Sequence, residues 1–240
     1  RRARANHALN GCGPRRILAR ADVVSGEPHR LKNPMSQTTG QIDAVVFDVG
    51  RVLFQWNLRH LFARLIADPD ELEWFVTHVV TEEWHFEHDA GRPLAEMVPE
   101  RIARFPDHAP LIEAYATCFN ETVPGPVAGS LELVETLHAR GVPLYAITNF
   151  GADFWPGFRA TQPVFDRFRD IVVSGVEKLA KPDPAIFRLA ERRFGHPADA
   201  MLFIDDNAAN IAAAADLGWQ AHHFSDAGHL AADLVERGLL

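Results

Sequence analysis

The apolar positions of the chain fall into short continuous runs separated by longer segments with helical spacing. Apolar runs at residues 44–47, 144–147 and 201–204 each end at polar residues, which is typical of buried strands in a parallel sheet. From Pro124 onwards, predicted strands alternate with predicted helices, and this alternation implies a parallel sheet with right-handed crossovers. The predicted fold class is therefore α/β, with a doubly wound parallel sheet.

The individual elements follow from the same pattern. After Pro124 it predicts a helix over 128–140, strands over 143–148 and 171–174, a helix over 184–194, a strand over 201–205, a helix over 207–217, a strand over 220–224 and a helix over 226–237.

A region between the first two strands has the pattern of helices alone. Apolar positions at helical spacing begin at Leu58, and residues 56–124 are too many for a plain crossover between strands. We therefore expect an inserted helical cap at 56–124, with the α/β core formed by 42–55 and 125–240. The aromatic residues assigned to the interior of this helical block are Trp74, Trp84, Phe86 and Phe119.

The charge distribution separates a basic leader from an acidic body. The 240 residues carry a formal charge of −8. Residues 1–41 hold eight basic and two acidic side chains, a net charge of +6, which leaves −14 for residues 42–240. The acidic body argues against binding nucleic acid through its phosphates. The leader has the composition of a transit peptide, but we interpret it as disordered sequence, or as sequence upstream of a start at Met35.

Cysteine content and hydropathy indicate in which cellular compartment the protein is expected. Cys12 and Cys118 are too few and too far apart for a disulfide framework or a paired-cysteine metal site, so a reducing cytoplasm is the simplest expectation. No apolar run approaches the roughly 20 residues that span a bilayer, so no membrane association is expected. The sequence carries no signal for an oligomeric state.

Polar side chains follow several predicted strands at the point where each strand ends. In open α/β sheets, ligands bind at this edge. Taken singly, an aspartate near a glycine is a common turn, and a lysine before a proline is a common solvated loop residue. Together they bring a carboxylate nucleophile, a cation and further carboxylates to one edge. The residues concerned are Asp48, Thr148, Asn149, Lys181, Asp205 and Asp206.

The acidic members of this set favour a divalent cation. Asp48, Asp205 and Asp206 would place three negative charges beside the single ammonium of Lys181, which is costly without a further positive charge. Mg²⁺ prefers oxygen ligands and retains several waters. The expected cofactor is therefore Mg²⁺.

The order and spacing of these segments resemble the four motifs of the haloacid dehalogenase-like superfamily, and the resemblance covers residues 42–240. The opening over 47–53 and the element over 205–211 are similar to the branch that holds α-glucose-1-phosphate phosphatase and the N-terminal phosphatase domain of epoxide hydrolase. This resemblance implies a Mg²⁺-dependent phosphatase that hydrolyses a small phosphorylated metabolite, a sugar phosphate in that branch, through an aspartyl-phosphate intermediate.

The resemblance also implies individual roles. Asp48 would be the nucleophile and Lys181 its cationic partner. The metal ligands would be the Asp48 carboxylate, the Gly50 carbonyl and Asp206, with Asp205 at the rim. The Thr148 hydroxyl and the Asn149 backbone N–H would bind the phosphoryl oxygens, and Asn210 would orient the lysine.

One position departs from the pattern. Phosphatases of this superfamily usually carry a second aspartate where Gly50 stands, although the glucose-phosphate branch also has glycine there. General acid–base help is typically worth about 10²–10⁴-fold, so another residue is expected to supply it. His85, His88 and Asp89 are the candidates, and the alternative is that they form a polar surface turn.

Other residues have two interpretations. Arg51 either clamps a phosphate or carboxylate, or pairs with a surface acid. Trp56, His85, His88 and Arg92 are candidates for lining the pocket. Trp155 either faces the ligand or packs under a loop, and we favour packing.

Two other functions remain open at this point. One is a metal-independent 2-haloacid dehalogenase, although in that branch an aromatic residue usually stands at the position of Gly50 and a serine replaces an acid in the last motif. The other is a non-catalytic binding protein of the same fold. Retention of the other site groups, including Asp205 and Asp206, favours the phosphatase.

Overall fold

The computed structural model describes residues 40–240. The predicted leader, apart from its last two residues, lies outside the described residues, as do Cys12 and Met35. The described part contains a parallel sheet with strand order β3-β2-β1-β4-β5. Its strands are β1 (Ala44–Phe47), β2 (Leu144–Thr148), β3 (Asp170–Val173), β4 (Met201–Asp205) and β5 (Gln220–His223). The predicted α/β class with a parallel sheet is confirmed.

Helices surround this sheet. The helices before β2 are α1 (Leu58–Phe62), α2 (Pro69–His78), α3 (Glu82–Asp89), α4 (Leu94–Arg104), α5 (Ala109–Cys118) and α6 (Ser130–Ala139). Those after β2 are α7 (Trp155–Ala160), α8 (Ser174–Glu177), α9 (Pro184–Phe194), α10 (Ala208–Asp216) and α11 (Ala227–Glu236). The elements predicted after Pro124 are present with ends shifted by one or two residues, and α7 and α8 were not predicted. No helix in the described part is long and apolar enough to cross a membrane.

The central strand shows why the sheet is covered on both faces. All four residues of β1 are buried, and successive side chains of a strand point to opposite faces. Val45 and Phe47 pack in one hydrophobic cluster with α1, α2, α5, α6 and α11. Ala44 and Val46 pack in a second cluster with α9 and α10. The doubly wound arrangement therefore follows from the continuous apolar run of this strand.

The register of the sheet brings three strand ends together. Phe47 of β1 pairs with Ala146 of β2 and with Ile204 of β4. The residues that follow these three strands therefore lie side by side at one edge.

The segment between β1 and β2 is helical through α1–α5, and side-chain caps define three of its helix starts. Asn57 accepts a hydrogen bond at the start of α1, Asp68 accepts two at the start of α2, and Thr81 accepts one at the start of α3. Trp84 and Phe119 are buried as expected, but Trp74 and Phe86 are 41% and 42% exposed. Their assignment to the interior was wrong, because Trp74 lies at the surface of the helical block and Phe86 borders the open cavity described below.

Candidate active site

The Lys181 side chain lies at the centre of the polar cluster. Its Nζ is 2.7 Å from Asp48 Oδ1 and 2.7 Å from Asp205 Oδ2, and the residue is 1% exposed. Burial opposes the charge of an ammonium, but the ion pairs with Asp205 and Asp48 outweigh it and raise the pKa of Lys181. The lysine is therefore a fixed, fully paired cation.

Asp205 is held from several sides at the end of β4. Asn210 donates from Nδ2 to both of its carboxylate oxygens at 3.0 Å, and the backbone N–H of Asn207 donates to Oδ1 at 2.8 Å. Together with Lys181, these donors occupy both oxygens of a completely buried carboxylate. Asn210 thus contacts Asp205 directly and reaches the lysine only through it.

Three carboxylates gather at this point. Ligand oxygens of Asp48, Asp205 and Asp206 all lie within 4.8 Å of one another. Burial, with the charges of Asp205 and Asp206 added, raises the pKa of Asp48 to about 7 against the opposing charge of Lys181. Burial and the charge of Asp205 also raise the pKa of Asp206.

Burial is the main cause of both shifts, and the crowding of negative charge adds to it. Three ionised carboxylates and one ammonium leave a net charge of −2 in a site with little solvent. The donor set consists of oxygens, which suits a hard divalent cation such as Mg²⁺. The residues present therefore fit such an ion, with Asp48 and Asp206 on the open side and Asp205 behind them.

The strand end of β2 supports the lysine segment. Asn149 Nδ2 donates to the Lys181 carbonyl oxygen at 2.9 Å, and the Lys181 N–H donates to Asn149 Oδ1 at 2.9 Å. The Ser174 hydroxyl accepts from the Phe150 N–H at 3.0 Å. Thr148 is 1% exposed, and it does not line the cavity described next.

A cavity of about 190 Å³ opens above the carboxylates. At its base lie Asp48, Gly50, Asn149, Lys181 and Asp206. Its apolar walls are Val49, Phe54, Trp56, Phe86, Phe119, Val123, Phe150 and Phe158. The remaining polar residues around it are Arg51, Glu82, His85, Asp89, Asn207 and Asn210.

Arg51 lies between the base of this cavity and α3. Its Nη2 is 2.6 Å from Glu82 Oε1, and its guanidinium carbon lies 4.8 Å from the centre of the Trp56 ring. The residue has φ 59°, a conformation that is uncommon for side chains other than glycine. Of the two interpretations of Arg51, the structure contains the ion pair with an acid, and it places that pair at the cavity.

His85 and Asp89 are buried in α3 and line the cavity. His85 Nδ1 lies 2.7 Å from the Tyr115 hydroxyl, and its Nε2 lies 3.1 Å from Asp89 Oδ2. The ring stacks on Trp56 and Phe119. The alternative that these residues form a polar surface turn was wrong, because α3 runs through them and turns them inward.

Other candidates lie away from the cavity. His88 is buried, with Nδ1 2.8 Å from the Arg92 carbonyl oxygen, and its ring fills the space beside Gly151 that a Cβ would occupy. The Arg92 guanidinium pairs with Glu87 and Glu100. Trp155 is buried and packs against Phe165, Phe150 and Phe158, in agreement with the packing interpretation.

Sequence reasoning missed Tyr115 and Ser174. Tyr115 lies on α5 and reaches His85 across the helical block, and Ser174 links the β2 loop to the Asp89 carbonyl oxygen at 2.5 Å. Neither belongs to a local motif, so only the packing of distant segments reveals them.

Comparison with known proteins identifies relatives of this chain. The chain is 28% identical to a sesquiterpene phosphatase of Aspergillus oryzae over 188 residues, which cover 76% of this chain and 90% of that protein.

Solved structures share the fold. A haloacid dehalogenase family enzyme of Bacteroides thetaiotaomicron, solved with magnesium and inorganic phosphate, superposes with a TM-score of 0.59 at 21% identity and covers 79% of this chain and 98% of its own. The L-2-haloacid dehalogenase of Xanthobacter autotrophicus superposes with a TM-score of 0.56 at 18% identity and covers 83% and 84%. The sequence profile of the haloacid dehalogenase-like hydrolases matches residues 42–218. The chain therefore belongs to the haloacid dehalogenase-like hydrolase family.

Proposed function

We propose that this hydrolase is a Mg²⁺-dependent phosphatase that cleaves a small phosphate ester through an aspartyl-phosphate on Asp48. The observation that carries the proposal is the close cluster of Asp48, Asp205 and Asp206 beside one buried lysine. A carboxylate can attack phosphorus only if the charge of the phosphate dianion is offset. The cluster supplies the nucleophile and an oxygen-lined place for a divalent cation.

The protein groups have distinct tasks in this proposal. Asp48 attacks phosphorus, while Lys181 holds its carboxylate in place by the 2.7 Å ion pair and favours its ionised form. The Asn149 backbone N–H would bind a phosphoryl oxygen as negative charge develops on it. The same role for the Thr148 hydroxyl rests on the resemblance alone, since Thr148 is 1% exposed and does not line the cavity.

The metal site would use the groups nearest the cavity. Asp48, the Gly50 carbonyl and Asp206 would bind Mg²⁺, which when bound supplies positive charge that balances the phosphoryl group. Asp205 would act from behind, since Asn210, Asn207 and Lys181 already bind both of its oxygens.

We also propose that residues 56–124 act as a cap over a core made of 42–55 and 125–240. Part of the cavity wall comes from this segment, including Trp56, His85 and Phe119. A cap that closes over the site would exclude water and select the substrate.

The organic part of the substrate would contact the walls of the cavity. A sugar phosphate remains the prediction from the resemblance. The aromatic walls offer surfaces for an apolar group as well, and the relative in Aspergillus oryzae is a sesquiterpene phosphatase. Both substrate classes therefore belong in the assay panel.

Two alternatives make different predictions. A 2-haloacid dehalogenase attacks carbon and needs no metal, so it has little use for three adjacent carboxylates. A non-catalytic protein of this fold would need neither a fully paired buried lysine nor a metal site. This chain has a buried lysine paired with two carboxylates and a third carboxylate beside them, which supports the phosphatase.

The test is a substrate panel of acetyl phosphate, p-nitrophenyl phosphate, sugar phosphates and prenyl phosphates, assayed with Mg²⁺ or with EDTA. Chloride release from 2-chloropropionate is followed in parallel, and Asp48→Asn is assayed beside the wild type. Phosphate release that requires both Mg²⁺ and Asp48 is the expected result. Chloride release in EDTA would establish the dehalogenase, and no release in either assay would favour the binding protein.

A further inference from the structure

A phosphate ester of an ordinary alcohol needs a proton at its leaving oxygen, because an alkoxide is a poor leaving group. Gly50 has no side chain that could supply this proton. Its position is not closed to a larger residue, since a Cβ at Gly50 would meet no atom within 4 Å. The acid must therefore come from another residue that lines the cavity.

The cavity has few groups that could carry this proton. Among the described residues that line it, those with charged or titratable side chains are Asp48, Arg51, Glu82, His85, Asp89, Lys181 and Asp206. Asp48 is the proposed nucleophile and Asp206 a proposed metal ligand. Lys181 is bound on two sides by carboxylates at 2.7 Å, which hold its protons.

The remaining four residues differ in the partners that their side chains already have. Arg51 and Glu82 bind each other at 2.6 Å. Both ring nitrogens of His85 have protein partners, at 2.7 Å and 3.1 Å. Glu82 is exposed, whereas Asp89 is a buried carboxyl group, and its Oδ1 has no hydrogen-bond partner.

The surroundings of Asp89 hold its carboxyl group firmly. The residue is 5% exposed, and its Oδ2 lies 3.1 Å from His85 Nε2. Its backbone carbonyl oxygen accepts from the Ser174 hydroxyl, which itself accepts from the Phe150 N–H. The end of α3 is thereby tied to the loop that follows β2, next to the base of the cavity.

The Tyr115 hydroxyl holds His85 in place. Burial raises the pKa of Tyr115 well above its usual value, so its hydroxyl keeps its proton and can donate it to His85 Nδ1 at 2.7 Å. His85 Nε2 then lies 3.1 Å from Asp89 Oδ2. The Asp89 carboxyl group, whose Oδ1 is buried without a hydrogen-bond partner, is left free to hold a proton.

We propose that Asp89 is the general acid and base of this hydrolase, and that His85 is a positioning residue that fixes the Asp89 carboxyl group. This inference rests on the proposed phosphatase function. In the first step, an Asp48 oxygen forms a bond to phosphorus and the bond from phosphorus to the ester oxygen breaks. That oxygen keeps the electron pair and takes the proton of the Asp89 carboxyl group, which gives the alcohol and the Asp89 carboxylate.

The second step returns every group to its starting state. A water oxygen attacks phosphorus while one water proton passes to the Asp89 carboxylate. The bond from phosphorus to Asp48 breaks, which gives orthophosphate and the free Asp48 carboxylate. Asp89 is then protonated and ready for the next ester.

The test compares two esters whose leaving groups differ in their need for a proton. Nitrophenolate leaves without protonation, whereas the alkoxide of propyl phosphate does not. In Asp89→Asn, we expect kcat/KM for propyl phosphate to fall by about 10²–10⁴-fold, and kcat/KM for p-nitrophenyl phosphate to fall by about tenfold or less. Glu83→Gln, on the exposed side of the same helix, is the matched control and should change neither value.

A second variant replaces the missing acid. Gly50→Asp introduced into Asp89→Asn has room for its side chain and should restore at least part of the propyl phosphate activity. If Asp89→Asn does not fold by circular dichroism, Asp89→Ser is assayed in its place, because the result is a ratio between two esters within one protein.

The outcomes separate the inference from the function on which it rests. An active wild type whose Asp89 variant loses both activities equally, with no rescue by Gly50→Asp, overturns this inference alone. A wild type that releases no phosphate from either ester overturns the proposed function and this inference with it.

Discussion

The Asn149 side chain binds both polar groups of the Lys181 backbone, with its Nδ2 2.9 Å from the carbonyl oxygen and its Oδ1 2.9 Å from the amide nitrogen. This pair of hydrogen bonds joins the end of β2 to the segment before α9. The lysine ammonium is thereby carried to Asp48 and Asp205, each at 2.7 Å. The Asn149 side-chain amide therefore positions the lysine and takes no part in the reaction itself.

Replacement of this amide gives the first prediction. Asn149→Ala leaves the N–H and the carbonyl of Lys181 without partners, and we expect a loss of about 1–3 kcal/mol in the free energy of unfolding together with at least a tenfold loss of phosphatase activity. Urea denaturation and steady-state assays measure the two effects. The control is Asp226→Ala, which removes the cap of α11 away from the cavity and should cost about 1 kcal/mol with activity unchanged. Equal activity in both variants would contradict the role of Asn149.

The pKa of Asp48 predicts how metal binding depends on pH. Burial raises this pKa to about 7 in the metal-free protein, so below pH 7 a proton occupies the carboxylate that Mg²⁺ needs. Because protons compete with the metal, the apparent affinity for Mg²⁺ should rise roughly tenfold between pH 6 and pH 8. Calorimetric titration with MgCl₂ at several pH values measures it. An affinity that stays constant over this range would show that Asp48 does not bind the metal.

The backbone of Arg51 gives a prediction about stability. The backbone at φ 59° is strained for a residue that has a Cβ, at a cost of about 1–2 kcal/mol. Arg51→Gly should therefore be about 1 kcal/mol more stable than Arg51→Ala, although alanine is normally the more stabilising residue. Since both variants lose the ion pair with Glu82, chemical denaturation of the two isolates the backbone effect. A more stable alanine variant would contradict the left-handed conformation.

Close backbone packing at Gly175 gives a further prediction. A Cβ there would lie 2.5 Å from the Ala152 nitrogen and 2.8 Å from the Phe150 oxygen, so Gly175→Ala must displace the loop after β2. We expect a loss of about 1–3 kcal/mol in stability and a lower phosphatase activity. A Cβ at Gly125 would have no neighbour within 4 Å, so Gly125→Ala should leave stability and activity unchanged. Thermal melting and activity assays compare them, and similar results for the two variants would argue against this packing.

Much of the fold follows from local sequence pattern. The apolar run of β1 and the alternation after Pro124 predict the parallel sheet. In these segments the continuous apolar runs of strands are easily told from the spaced apolar positions of helices. The start of α9 is also local, since Asp183 caps it and Pro184 opens it. The short α7 and α8 were missed because each spans only one or two turns and has no apolar repeat.

The site was predictable only where its residues follow strands. Asp48 directly follows β1, Asp205 ends β4 and Asp206 follows it, so topology alone places them together. The link from Tyr115 through His85 to Asp89 joins α5 to α3, and its geometry depends on how these helices pack. The exposure of Trp74 and Phe86 was missed for the same reason, because aromatic character does not reveal which side of a helix faces its neighbours.

The central claim is that Asp48 is the nucleophile that attacks phosphorus. Trapping the aspartyl-phosphate by rapid acid quench tests it most directly. Wild-type protein is mixed with acetyl phosphate and Mg²⁺, quenched within the first turnover and digested for peptide mass spectrometry. We predict a phosphoryl group on the peptide that contains Asp48, and none with EDTA or in Asp48→Asn. Steady phosphate release without any phosphoryl group on that peptide would contradict the account.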